Sequence, residues 1–216
     1  IAKKRGHKGI ASMVNGDLRS VQRKGIPSTE LIADPIERIS VETSTPLWLV
    51  KRWSEQYGIS KTKEMCERNL LAPKQTARVN ATKASREQVI ALLEEEGYSV
   101  EASPVIPDAI VCLQGNMAHS KAFADGLFTI QDESSMLVSY ALGANGNDQV
   151  LDTCAAPGGK TTSIAEKLTD GQVVALDLHE HKVKLINETA NRLGLDNITT
   201  YAFDARKVAD KFAPES

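Results

Sequence analysis

With 216 residues, the chain has room for one large domain or two small ones around a sizeable core. Its 41% hydrophobic and 25% charged residues are ordinary for a globular protein, and no apolar run approaches the ~20 residues that a bilayer span requires. The net charge of −2 hides an asymmetry, because residues 1–25 hold Lys3, Lys4, Arg5, Lys8, Arg19, Arg23 and Lys24 against the single acid Asp17, a net +6 that leaves −8 for the remainder.

In chain order, Ile10, Met13, Val14 and Leu18 recur at helical spacing. Pro27, Pro35 and Pro46 then punctuate a stretch that reads as loop. An amphipathic helix follows from Leu47 through Trp48 and Trp53 to Tyr57 and Gly58, and another over 60–71, stopped by Pro73. At residue 76 the pattern changes to a strand over 76–80. A helix over 85–96 then opens on Ser85 with Gln88 three residues on, a capping box. Strands over 98–102 and 109–113 complete a βαββ module. A main domain is expected from residue 126. It comprises a short strand or turn at 128–130, a helix over 132–142 and then strands at 149–152, 173–177 and 199–204 separated by helices over 161–168 and 181–193. Strands alternating with helices predict an α/β fold with a parallel, doubly wound sheet.

Three aspartates, Asp152, Asp177 and Asp204, close the three strands at spacings of 25 and 27 residues, one βα unit each. Ligands of open α/β sheets bind at the carboxyl ends of the strands, so these carboxylates are expected around one crevice. Between the first strand and its helix lies Cys154-Ala155-Ala156-Pro157-Gly158-Gly159-Lys160. Small residues let backbone approach a ligand, and the helix that follows offers free amides. A phosphate-binding P-loop needs a glycine where Cys154 stands, and the Gly-x-Gly-x-x-Gly dinucleotide fingerprint lacks its third glycine here. Asp177 has the position from which a carboxylate accepts from two vicinal ribose hydroxyls. The competing reading is a strand-end residue that caps the next helix.

The run from Leu151 to Thr162, with the Phe128-Thr129-Ile130-Gln131-Asp132-Glu133-Ser134-Ser135 lead-in, closely resembles the Sun/NOP2 family of RNA cytosine-C5 methyltransferases. Upstream, residues 13–19 resemble the last helices of a NusB-like RNA-binding domain. The resemblance implies three regions: 1–45, the end of that helical domain with a linker; 46–125, a helical linker and small α+β module; and 126–216, the N-terminal half of a Rossmann-like class I methyltransferase sheet. It implies S-adenosylmethionine as cofactor, with the loop from Cys154 to Lys160 around its methionine and ribose, Asp177 on the ribose hydroxyls and Asp204 beside the adenine amine. Small-subunit ribosomal RNA is the implied partner, with the basic residues of 1–25 as its contact surface. Other readings are an RNA-binding module with a vestigial cofactor fold and a P-loop-like nucleotidase.

Such enzymes add a cysteine thiolate to carbon 6 of cytosine to activate carbon 5. Cys66 and Cys112 read as packing residues and Cys154 as part of the loop, so the nucleophile is expected beyond residue 216. An upstream start is likewise expected, since the chain opens on Ile1. The strand at 149–152 is expected to keep one side unpaired, an aggregation hazard unless something covers it. Three cysteines without metal-ligand spacing, and no visible signal peptide, suit a metal-free protein of the reducing cytoplasm.

Overall fold

The computed structural model describes residues 8–25 and 28–212. Lys3, Lys4 and Arg5 lie outside them. The chain divides into two compact units, 1–72 and 73–216.

The first unit is helical: α1 (Lys8–Lys24), α2 (Pro35–Thr43), α3 (Leu47–Tyr57) and α4 (Ile59–Arg68). Ile39, Val50 and Cys66 form the core of the last three, with Ile36 and Trp53 packed against it. Helix α2 occupies a stretch whose prolines suggest loop. Its start carries Asp34, which accepts the Ile36 amide at 2.8 Å, and Pro35 sits at the first helical position, where its missing N–H costs nothing. Ser44, in the left-handed region at φ 51°, ends it.

The second unit holds two sheets. Strands β1 (Gln75–Val79), β2 (Ser99–Ala102), β3 (Ala109–Gln114) and β4 (Phe128–Ile130) form an antiparallel sheet in the order β2-β3-β1-β4. Helix α5 (Arg86–Glu95) covers one face, and its start shows the expected capping box: the Gln88 amide donates to Ser85 Oγ, and the Ser85 amide donates to Gln88 Oε1. Ala77, Val79, Val89, Leu93, Ile110, Met117 and Phe128 meet in the core beneath it. The short strand at 128–130 therefore belongs to this sheet rather than opening the next one. Burial of the Phe128 ring in that core and pairing of Val79 with Phe128 decide its place.

Helix α6 (Lys121–Ala124) precedes β4, and α7 (Glu133–Leu142) follows it. The second sheet is parallel, in the order β5-β6-β7: β5 (Gln149–Asp152), β6 (Gln172–Asp177) and β7 (Ile198–Ala202). Helices α8 (Gly159–Ala165) and α9 (Glu180–Leu193) make the crossovers. Ile164, Ala165, Leu168 and Val173 form the core between α8 and the sheet, while Ala155, Ala175 and Ile186 pack under α9. Among the described residues β5 pairs only with β6, so its outer edge is free, and Leu151 is 41% exposed. No helix among them is long and apolar enough to cross a membrane.

The two sheets of this unit are tied by side chains. Arg192 on α9 donates to the carbonyls of Phe123 (2.7 Å) and Phe128 (2.9 Å) and lies over the Phe123 ring. Asn80, just past β1, donates to the carbonyls of Gly126 and Leu193. At Gly126, φ +72°, the backbones pass close together: an added Cβ would stand 1.9 Å from the Arg192 carbonyl oxygen.

Candidate functional site

In the parallel β5-β6-β7 sheet Asp152 and Asp177 end their strands and Asp204 lies two residues past β7, and each carboxylate has its own partners. Asp152 accepts the Cys154 amide at 3.2 Å and the Thr161 hydroxyl at 2.7 Å, so it closes the loop between β5 and α8 upon itself. Asp177 is 5% exposed. Its Oδ2 accepts the Ala156 amide at 3.2 Å, and Lys182 Nζ stands 3.7 Å from Oδ1. The Ala155 amide also donates to the Leu176 carbonyl at 2.9 Å. The loop is thus laid across the end of β6.

Asp204 is half-buried at the start of a 3-10 turn, Ala205–Asp210, whose Arg206 amide it accepts. The Arg206 guanidinium donates to both carboxylate oxygens, from Nε at 2.9 Å and Nη2 at 2.7 Å. These bonds hold the Asp204 carboxyl at about 2, well below the ordinary carboxylate range.

Within the loop, Cys154 and Pro157 are exposed and Ala155 is buried. The Ala156–Pro157 peptide is cis. Gly158 takes φ +102°, and a Cβ there would meet Ile186 Cα at 3.3 Å, so only glycine lets the loop's exit pass this close to α9. Gly159 and Lys160 begin α8, Lys160 with an exposed side chain. Cys66 and Cys112 are buried in α4 and β3. Arg19, Arg23 and Lys24 are exposed on α1, the helix that Lys8 opens.

A second set of residues at this site is not among those the sequence singles out. Arg78 on β1 is 5% exposed and extends to α8. It donates to both oxygens of Glu166 (Nη2 2.9 Å, Nε 3.2 Å), to Thr162 Oγ1 (3.1 Å), to the Gly159 carbonyl (3.3 Å) and to Gln131 Oε1 (3.0 Å). Burial pushes the Glu166 carboxyl up to about 7, partly offset by the charge of Arg78. The one signal in the sequence is an arginine inside a strand whose neighbouring positions are apolar or small. Among the described residues no group of three or more metal-ligating side chains comes together.

A three-stranded parallel sheet with a small-residue loop after its first strand and a buried acid ending its second has the fold of part of a Rossmann-like methyltransferase sheet. Solved structures share the fold. The crystal structure of PH0851 superposes with a TM-score of 0.81 at 28% identity, covering 97% of this chain and 47% of that one. NSun6 from Pyrococcus horikoshii with SFG shares the fold, with a TM-score of 0.68 at 21% identity over 74% of this chain and 66% of that one.

Residues 45–118 match the RsmF/B-like methyltransferase ferredoxin-like domain, and residues 139–215 match the 16S rRNA methyltransferase RsmB/F family. The chain belongs to this RsmB/F family. A probable ribosomal RNA small subunit methyltransferase B of Bacillus subtilis (strain 168) is 50% identical over 216 residues, 100% of this chain and 48% of that protein. A protein of the same name from Synechocystis is 32% identical over 207 residues, 94% of this chain and 46% of that protein. The chain thus spans about half the length of the curated relatives it matches.

Proposed function

We propose that this chain binds S-adenosylmethionine and serves the methylation of carbon 5 of a cytosine in small-subunit ribosomal RNA, in the cytoplasm. The observation that carries the reading is Asp177, a buried carboxylate at the carboxyl end of the middle strand with the loop folded onto it. The acceptors present fit the cofactor. Asp177 keeps lone pairs beyond the one that accepts Ala156, and vicinal hydroxyls need an acceptor. The loop from Cys154 to Lys160 would border the ribose and methionine. Asp204 would take the adenine amine by sharing oxygens that Arg206 now occupies, since an ionised carboxylate has about four acceptor sites.

When bound, the cofactor supplies an electrophilic methyl group. The chain's own residues hold and orient it: Asp152 keeps the loop closed, and Asp177 both clamps the loop and receives the ribose. Cys154 is a loop residue in this reading, and neither Cys66 nor Cys112 is exposed to act as the thiolate that covalent catalysis needs. The basic residues Lys3, Lys4, Arg5, Lys8, Arg19, Arg23 and Lys24 would neutralise RNA phosphates.

Calorimetric titration of the chain with S-adenosylhomocysteine and, separately, ATP tests the reading. Binding of the former alone is expected, and binding of ATP alone would refute it. A tritiated-methyl assay on unmodified small-subunit ribosomal RNA tests the role of Cys154. Turnover by this chain that vanished in Cys154→Ser would overturn the loop assignment.

A further inference from the structure

Strand β1 is buried on both faces. Side chains alternate along a strand, so Ala77 and Val79 enter the core under α5 while Thr76 and Arg78 face the other way. There Arg78 meets α8, the helix that carries the loop's exit. Three of its partners lie along that helix: the Gly159 carbonyl in the first turn, the Thr162 hydroxyl, and the Glu166 carboxyl just past the end. Thr162 Oγ1 also bonds the Gly158 carbonyl at 2.8 Å, which carries the contact back to the loop. Gln131, the fourth partner, is itself fixed to β1: its amide donates to the Thr76 carbonyl, and its carbonyl accepts the Thr76 hydroxyl at 2.7 Å.

A buried arginine–carboxylate pair adds little stability over a well-packed apolar pair. What it does supply is geometry, because a rigid guanidinium fork sets several partners at once and a lysine ammonium cannot. We propose that Arg78, supported by Gln131, is a positioning residue for the cofactor loop. From the antiparallel sheet it fixes the axial position and rotation of α8, and so fixes where the Gly158–Gly159 end of the loop stands relative to Asp177. The inference rests on the reading of that loop as the S-adenosylmethionine site.

The test compares the 216-residue parent with Arg78→Lys and with the apolar pair Arg78→Met/Glu166→Leu. Three quantities are measured: thermal midpoint, backbone amide exchange of residues 155–163 by mass spectrometry, and affinity for S-adenosylhomocysteine by calorimetry. The apolar pair should melt near the parent yet exchange the loop amides at least about tenfold faster and bind about tenfold more weakly, the scale of one lost charge-assisted hydrogen bond. Arg78→Lys should show the same loss, because charge alone does not restore three fixed points. Parent-like exchange and affinity in the apolar pair would overturn the proposal and leave Arg78 a packing residue. Should the apolar pair fail to fold, Arg78→Lys decides alone, and parent-like values there overturn the proposal equally. A parent that binds no S-adenosylhomocysteine refutes the cofactor reading and this proposal with it, whereas loss confined to the variants upholds both.

Discussion

Asp177 can be divided into its two roles by a pair of substitutions. Asp177→Ala removes the acceptor of the Ala156 amide and the charge near Lys182. An amide that loses its partner away from water costs roughly 1–3 kcal/mol. The Lys182 contact, long and on a half-exposed lysine, contributes at most about 1 kcal/mol. Asp177→Asn keeps an oxygen for Ala156 and a side chain of the same size, so its thermal midpoint should stay close to the parent's while that of Asp177→Ala falls. Both variants lose the charge that strengthens bonds from the ribose hydroxyls. A hydrogen bond to a charged group contributes about 1.5–3 kcal/mol, or roughly ten- to a hundredfold in affinity. Calorimetry with S-adenosylhomocysteine beside a thermal melt separates the effects. If Asp177→Asn bound as the parent does, Asp177 would be a loop clamp only, and the reasoning from its burial to ribose binding would fail.

Gly126→Ala should destabilise the chain by at least about 3 kcal/mol in denaturant titrations, because the new Cβ would meet a backbone oxygen at a positive φ. Glu166 has a raised folded-state pKa, so its contribution to stability is fully present below its ordinary value of 4.5 and is lost as pH rises through about 7. Accordingly, Glu166→Gln should flatten the decline in thermal midpoint between pH 5 and 7; an unchanged decline would mean that another group titrates there. Deleting residues 1–25 removes a net +6 and should reduce the log–log salt slope of RNA binding by up to about 4, at ~0.7 per single-strand phosphate. An unaltered slope would place the RNA surface elsewhere.

Much of the site is legible in the amino-acid sequence alone, because its signals are local. Asp152, Asp204 and the Ser85–Gln88 cap each lie within a few residues of the backbone they organise, whereas Asp177 takes its amide partner, Ala156, from 21 residues earlier. What is not legible there depends on distant partners. A three-residue strand has too few positions for its alternation to say which sheet it joins, and β4 takes its place from β1, some fifty residues earlier. Alternation in Thr76-Ala77-Arg78-Val79-Asn80 suggests a solvent face for Arg78, but helices from beyond residue 130 cover that face. The Asp204–Arg206 pair is only two residues apart, yet nothing in its spacing says that the arginine turns back onto both oxygens.

The partnership of Arg78 with Glu166 also bears on how the chain matures. Eighty-eight residues separate the two, and a ribosome delivers them in that order. Until α8 has emerged, the guanidinium lacks its carboxylate partner and β1 is only partly covered on that face. The antiparallel sheet likewise lacks its fourth strand until residue 130 is made. Loop closure over such distances must precede the contacts that reward it, which slows folding. The cover of β1 on its Arg78 face is therefore complete only once α8, from the parallel half of the unit, has been made.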